Sequence, residues 1–400
     1  MRAKGLLRDP DFLKLWTGQA ISQVGSSITG IGLPLVAVLV LHASPLEMGM
    51  LGGASAASVL LFGLFAGAWV DRLRRRPILI AADLGRAVVV GSVPVAAVLH
   101  RLTMTHLCVV AAAGAMLSVL FDISYEAYLP SLVESDELVA GNSKLALTQS
   151  FAELAGPGLT GILVQVMTAP IAILFDAISY VCSAGSVWMI GKPERPPVRH
   201  AEPDMGREIR EGLRASWRDP VLRALGARAA CSAFFLGFGG SLYFLFAVRE
   251  LGLSAAMVGV IISVGGAFNL AGAWIAERVT LRFGVGRSLI GSSLLTGVAA
   301  LLVPLAHGPV MLTLAQLGDL GWPVYNITEL TLRQKIVPGH LLGRVNSAMH
   351  LLVRGILPLG ALAGGALAQA IGVRSAVAVG AVGFLLSSAT LLRIPMRRLR

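Results

Sequence analysis

The sequence predicts an all-α membrane protein made of two six-helix repeats, and three observations carry that prediction. Of 400 residues, 55% are apolar and only 14% charged, with a mean hydropathy of +0.76. A soluble chain of that composition would leave far too much apolar surface in water. Charge-free stretches such as Leu15–Leu46, Met48–Val70 and Leu251–Ala276 each exceed the roughly 20 residues that cross about 30 Å of hydrocarbon. Finally, Gly67 to Pro77 reads G-A-W-V-D-R-L-R-R-R-P, and 205 residues later Gly272 to Arg278 reads G-A-W-I-A-E-R. So dense a charged turn belongs in a short aqueous loop between spans. Its recurrence at half the chain length indicates a duplicated helical unit.

Hydropathic runs and their punctuation predict twelve spans. The first, 13–41, follows Arg8-Asp9-Pro10, is too long for a signal-peptide core and lacks a small-residue cleavage pattern. The second (47–70) and third (77–99) flank the arginine turn, and Arg101 separates the third from the fourth (104–128). The fifth (143–167) opens on Asn142-Ser143, and the sixth (169–191) runs to K-P-E-R-P-P, which breaks any helix. The seventh (221–249) follows Arg218-Asp219-Pro220 and ends at Arg249. The eighth (254–279) and ninth (287–306) flank Arg278 and Arg282, and the tenth (309–332) ends at Arg333 and Lys335. The eleventh (343–370) opens near Asn346-Ser347, and Arg374 lies at the start of the twelfth (372–393). Residues 1–191 and 220–400 are therefore predicted as two halves, joined by a hydrophilic linker over 192–219 whose Gly206–Trp217 suits an amphipathic surface helix. The halves also match at Val133/Val337, Asn142-Ser143/Asn346-Ser347 and Pro157/Pro358, with offsets of 201 to 210 once Arg-Asp-Pro is included.

Lys and Arg concentrate at the N-terminus, the second–third loop, the linker, the eighth–ninth and tenth–eleventh loops and the tail. Only Arg101, Arg249 and Arg374 fall on the other side. The positive-inside rule then places both termini in the cytoplasm and accounts for the net charge of +11 without nucleic acid. Cys108, Cys182 and Cys231 lie scattered in apolar runs, with no disulfide framework and no metal-ligand spacing. There is no nucleotide-cradling Gly-rich loop and no nucleophile constellation, so the chain is expected to be neither an enzyme nor an ATP-driven pump, and to need no cofactor.

Twelve helices as six plus six, a long central loop and a basic second–third loop resemble the major facilitator superfamily across essentially the whole chain. Gly67-x-x-x-Asp71-Arg72-x-x-Arg75-Arg76 is similar to its loop signature, with Arg74 where the signature has Gly. Asp71-Arg72 through Asp83 and Arg86, L-P-S-L-V at 129–133 and F-D-A-I-S-Y at 175–180 resemble the enterobactin-exporter and macrolide-efflux branch. Gly156-Pro157-Gly158-Leu159-Thr160-Gly161 resembles the helix-5 motif of proton-coupled antiporters. Independently of that resemblance, the small residues permit close helix approach and Pro157 bends its helix; plain packing explains them equally well. The resemblance implies a conformational latch in which Asp71 meets the N-terminus of the eleventh helix and Arg75 or Arg76 pairs with Glu126. The alternative is that the arginines merely set topology.

Ionisable groups at membrane depth cost about 2.5–3.5 kcal/mol on insertion scales, so each needs a reason. Asp122, Glu153 and Asp319 are the candidate proton carriers; Gln149, Glu153 and Pro157 share one helix face. The other reading is a static pair, with Glu153 or Asp319 neutralised by Arg354 or Arg228. Asp176 is expected to be structural, and Asp83 with Arg86 a local pair. In the family fold helices 1, 4, 7 and 10 line the cavity, which makes Gln19, Gln23, Tyr125, Arg228, Tyr243 and Asn326 cavity candidates, with Arg354 near mid-depth in the eleventh span. Phe234, Phe235, Phe238 and Phe244 would make that cavity apolar.

The expected function is secondary active transport: a proton-coupled exporter, by alternating access, of small amphipathic molecules of drug-like or siderophore-like kind. Its partners would be that solute, protons and the bilayer of a bacterial inner membrane, with the chain acting as a monomer. The alternatives are a facilitator or importer of a polar metabolite, for which the ring of polar groups is sparse, and a lipid-handling transporter of the same fold.

Overall fold

The computed structural model describes residues 6, 8–70, 72–134, 137–194 and 205–393, and every regular element among them is helical. The chain is an all-α, multi-pass membrane protein. The first six spans are α1 (Pro10–Leu39), α2 (Pro45–Val70), α3 (Arg75–Val98), α4 (Met104–Leu132), α5 (Leu138–Met167) and α6 (Ala169–Trp188). The linker forms α7 (Met205–Arg218), followed by α8 (Pro220–Leu245), α9 (Ala255–Phe283) and α10 (Val285–Leu305). The tenth span is broken into α11 (Pro309–Ala315), a 3-10 turn (Gln316–Leu320) and α12 (Gly321–Ile336). Then come α13 (Gly339–Ile371) and α14 (Val373–Ser387), the latter continued by a 3-10 turn to Arg393.

The repeated Arg-Asp-Pro is a helix-start signal. Asp9 accepts the backbone N–H groups of Asp11 at 2.8 Å and Phe12 at 3.3 Å. Asp219 does the same for Val221 at 2.7 Å and Leu222 at 3.1 Å. Proline then fills the first helical position, where no N–H is needed. The far ends repeat as well. Leu41 and Ala43 donate back to Val36 and Ala37, and Leu251 and Leu253 donate back to Phe246 and Ala247. The left-handed residue inside each clasp is His42 (φ 51°) in the first case and Gly252 (φ 65°) in the second. In the second repeat the clasp also winds Phe246–Glu250 into a π turn.

Among the described residues, ten helices are long and apolar enough to cross a membrane. The fifth and tenth predicted spans depart from that pattern for visible reasons. α5 carries Lys144, Gln149 and Glu153. The tenth contains Gly318, Gly321 and Pro323; Pro323 has no N–H to give the carbonyl of Asp319 four residues earlier, so the helix tightens at 316–320. Glycines accept that turn: a Cβ at Gly272 of α9 would strike the Leu320 backbone, and one at Gly265 would strike the side chains of Asp319 and Gln316. Arg333, expected in the tenth–eleventh loop, is instead a buried residue of α12.

Two compact units emerge: Met1–Ala43 with Ala54–His200 and Ser254–Gly259, and Ser44–Gly53 with Ala201–Leu253 and Val260–Arg400. The core of the first gathers Phe12, Leu15, Leu79, Phe121, Tyr128 and Leu132 from α1, α3 and α4. In the second, α7 docks on α13 rather than lying as a free tether. Gly212 sits where a Cβ would strike the Arg344 carbonyl, Glu211 pairs with Arg344, and Ser216 is buried. Leu213 and Trp217 remain exposed on its other side.

The α5–α6 corner turns on Thr168 at φ 87°, ψ 151°, and the α13–α14 corner turns on Gly372 at φ 88°, ψ 154°. Only glycine visits that region without strain, so the first corner stores about 1–3 kcal/mol. Thr168→Gly should therefore raise the melting temperature of the purified protein, even after glycine's entropic cost of about 0.5–1 kcal/mol. Gly372→Thr should lower it. A drop with Thr168→Gly would show that the corner is not strained.

Candidate functional site

At the arginine turn, Asp71 lies outside the described residues, Gly67 is in the last turns of α2, and Arg72 is exposed. Arg75 and Arg76 open α3, and their carboxylate is Glu194, not the expected Glu126. Glu194 accepts the backbone N–H of Arg75 at 2.6 Å and of Arg76 at 3.1 Å, and lies 3.9 Å from the Arg75 guanidinium. It thus caps an otherwise uncapped helix start and meets the positive end of the α3 dipole. Arg76 also donates to the Trp188 carbonyl at 2.6 Å. Asp11 accepts from the Gly191 and Lys192 backbones at 3.1 and 2.9 Å, and Lys14 donates to the Met189 carbonyl at 2.8 Å. The segment 188–194 therefore ties together the starts of α1 and α3. Glu126 is exposed on α4. Sequence spacing gave no sign of Glu194, which sits about 120 residues from its partners.

Deeper in the same unit, Asp83 and Arg86 form the pair their spacing predicts, both buried. The Arg86 guanidinium is sandwiched between the rings of Phe121 at 4.2 Å and Tyr180 at 4.3 Å. Asp176 is fully buried, held by Thr29 and by Ser179 at 3.0 Å, while Tyr180 meets Ser26 at 3.0 Å. Gly25 makes room for it, since a Cβ there would strike Ser179 and Asp176. Charge and polarity on α1, α3 and α6 thus form one polar cluster.

The proton-carrier candidates of this unit, Asp122 on α4 and Glu153 on α5, are exposed. Glu153 accepts from Gln149 at 3.0 Å, the i, i+4 pair its helix face predicts. Pro157, four residues on, leaves the Glu153 carbonyl without its helical donor. Gly156 abuts Ser27 of α1, and Gly161 abuts Ala255 and Ala256 at the start of α9, where a Cβ on either glycine would collide. An equivalent contact recurs in the second unit, where Gly365 of α13 abuts Gly49 and the Pro45 carbonyl of α2. Tyr125, expected in a cavity, is a core residue instead: it is 8% exposed and stacked on Phe121 with centroids 5.7 Å apart. Gln19 is buried with its Oε1 unpartnered, and Gln23 is half-buried.

The second unit brings its candidates together around two adjoining cavities. One of about 460 Å³ is walled by Phe235, Val303, Val377 and Phe384 and carries Asp319 and Tyr243. The Tyr243 hydroxyl accepts from Gln316 at 3.0 Å. The other, about 380 Å³, is lined by Arg228, Asn326, Glu329, Arg333 and His350. Leu236 and Trp322 border both. Arg228 is 3% exposed, donates to Ser293 at 3.0–3.1 Å and lies 4.2 Å over the Tyr325 ring. Glu329 and Arg333 pair at 3.1 Å. Arg354 is exposed on α13 and lines neither cavity; it pairs with none of the candidate carboxylates among the described residues. Sequence reasoning missed Glu329, Arg333 and His350. The available signal was Asn326, Glu329 and Arg333 at i, i+3, i+7, one polar stripe on α12.

The Major Facilitator Superfamily profile matches residues 15–358. The multidrug efflux pump Tap of Mycolicibacterium fortuitum is 27% identical over 88% of this chain and 87% of its own. Macrolide efflux protein A of Streptococcus pyogenes is 22% identical over 90% of each. Among solved structures, an inward-facing bacterial homologue of the iron transporter ferroportin superposes with a TM-score of 0.77 at 19% identity, covering 97% of this chain and 98% of that one. The nucleoside transporter NupG gives 0.80 at 11% identity, covering 96% and 98%.

The buried Asp83–Arg86 pair makes a stability prediction. Removing one partner leaves an uncompensated buried charge, which costs about 3–5 kcal/mol. Asp83→Leu and Arg86→Met should each collapse folded yield and melting temperature, while the double variant should recover most of the loss. A double variant no better than either single would deny the pair its role.

Proposed function

Because this chain belongs to the major facilitator superfamily, we propose that it is a proton-coupled exporter of small amphipathic molecules, working by alternating access as a monomer in a bacterial inner membrane with both termini cytoplasmic. The observation that carries this reading is the similarity to multidrug and macrolide efflux proteins over nearly the full length of both chains. The apolar cavity that holds Asp319 supports it, since a chamber of aromatic and aliphatic walls with few polar groups suits lipophilic solutes. Export against a gradient needs a group that binds a proton on one side and releases it on the other, and Asp122, Glu153 and Asp319 are the candidates. Proline follows Glu153 and Asp319 by four residues in each case. Each therefore sits at a weakened point of its helix, where protonation and a change of bend can be linked.

The latch is retained for Gly67, Asp71, Arg72, Arg75 and Arg76 with Glu194 in the place of Glu126, because segment 188–194 provides the carboxylate that Arg75 and Arg76 engage. Gly156, Pro157 and Gly161 would let α5 flex while staying packed.

Glu153→Gln, Asp122→Asn and Asp319→Asn each mimic a permanently protonated carboxylate. In the carrier position, the variant should still bind solute and exchange it across the membrane but lose protonophore-sensitive accumulation. Full proton-driven export in all three variants would overturn the assignment. On a background lacking Cys108, Cys182 and Cys231, Arg74→Cys should label only from the cytoplasm and Arg101→Cys from outside. Labelling of Arg74→Cys from outside sealed cells would invert the topology.

A further inference from the structure

Arg228 is a buried cation that makes no direct ion pair among the described residues. Of the five N–H donors of a guanidinium, Nε–H and one Nη2–H are satisfied by Ser293. The remaining three, at the end of the group suited to fork-like recognition, have no acceptor among the described residues. Glu329 shares the cavity but is taken by Arg333 at 3.1 Å. The lining thus holds two guanidinium groups against one carboxylate, before His350 is counted. Tyr325 covers one face of Arg228 at 4.2 Å and Phe384 lies 5.7 Å away, so the group is held in place and only its donor edge is free. A charge this deep in a membrane protein is expensive unless something completes it. Beyond Leu236 and Trp322 opens the apolar chamber of about 460 Å³.

We propose that Arg228 binds the carboxylate, or an equivalent anionic group, of an amphipathic organic anion whose apolar body lies in the adjoining Asp319 chamber. This assignment deepens the exporter reading by naming its substrate class and rests on it for biological use. The chemistry is a charge-assisted hydrogen-bonded pair formed in a water-poor site. Trp322 stands between the two chambers, where the charged head and the apolar body of such a solute would join.

The test compares three probes that share one apolar body: 4-(1-pyrenyl)butyrate, 4-(1-pyrenyl)butanol and the matching pyrenylbutyl ammonium. Binding is measured on the full chain in nanodiscs of zwitterionic lipid, with empty discs subtracted and no proton gradient. The carboxylate should bind about tenfold more tightly than the alcohol, the scale of one charge-assisted pair. Arg228→Gln should bring the carboxylate to the level of the alcohol while leaving alcohol binding unchanged, and Arg228→Lys should keep part of the preference. Glu329→Gln, which removes the competing anion, should widen it.

Equal binding of alcohol and carboxylate by the unmodified chain, a preference for the ammonium, or a carboxylate preference that survives Arg228→Gln would overturn the proposal. If Arg228→Gln abolishes alcohol binding too, Glu329→Gln decides: a preference that fails to widen overturns the site. Loss of the preference in discs containing phosphatidylglycerol would identify a lipid headgroup as the occupant, and so overturn the assignment to a solute. Anion preference in discs without export by cells would sink the exporter reading alone; export without anion preference would sink this site alone.

Discussion

Hydrocarbon offers no water to a charge or a free peptide group, so every polar group at depth must be stabilised by the protein itself. That constraint explains why Arg86 lies between two aromatic rings beside Asp83, why Asp176 is ringed by hydroxyl groups, and why Arg333 is matched to Glu329 one turn away. Around Arg86 and Asp176 the polar and aromatic groups come from several helices that must then stay in register, because sliding one past another would strip a charge of its partners. Packing specificity in the first unit follows from this as much as from its apolar core. Arg228 stands out against that background, since its hydroxyl partner and ring neighbours hold it in place without neutralising it.

The backbone obeys the same constraint. Proline removes a helical donor wherever it occurs, and here it follows Glu153, Asp319 and Arg354 by four residues. The tenth span answers with a 3-10 turn lodged against Gly265 and Gly272 of α9 and Gly321's own neighbours on α10. Close glycine contacts keep such imperfect helices packed, as at Gly161 with the start of α9 and at Gly365 with the start of α2. Since that contact recurs in both units, the glycines of the helix-5 motif first serve a packing need of the repeat. A role in antiport would build on that packing.

The segment after α6 shows how a hydrophilic linker can become structural. Lys192 and Glu194 look like tether residues in sequence, yet Glu194 caps α3 and the Lys192 backbone is held by Asp11. α7 in turn is fixed to α13 through Gly212 and the Glu211–Arg344 pair.

The helical class, the duplication and most boundaries were legible in the residues alone, because hydropathy, the Asp-Pro starts and the breaker residues act within a few residues of where they stand. Spacing also placed Gln149 and Glu153 on one helix face and foretold the local pair of Asp83 with Arg86, whose partners lie one turn apart. Tertiary structure alone decided which charges meet across helices. Glu194 replaced Glu126 as the partner of the arginine turn, Tyr125 went to the core, Arg333 moved from a loop into a buried helix face, and Arg228 was left without a direct ion pair among the described residues. Those outcomes depend on how helices are rotated and spaced, and nothing in local periodicity fixes a partner more than 100 residues away.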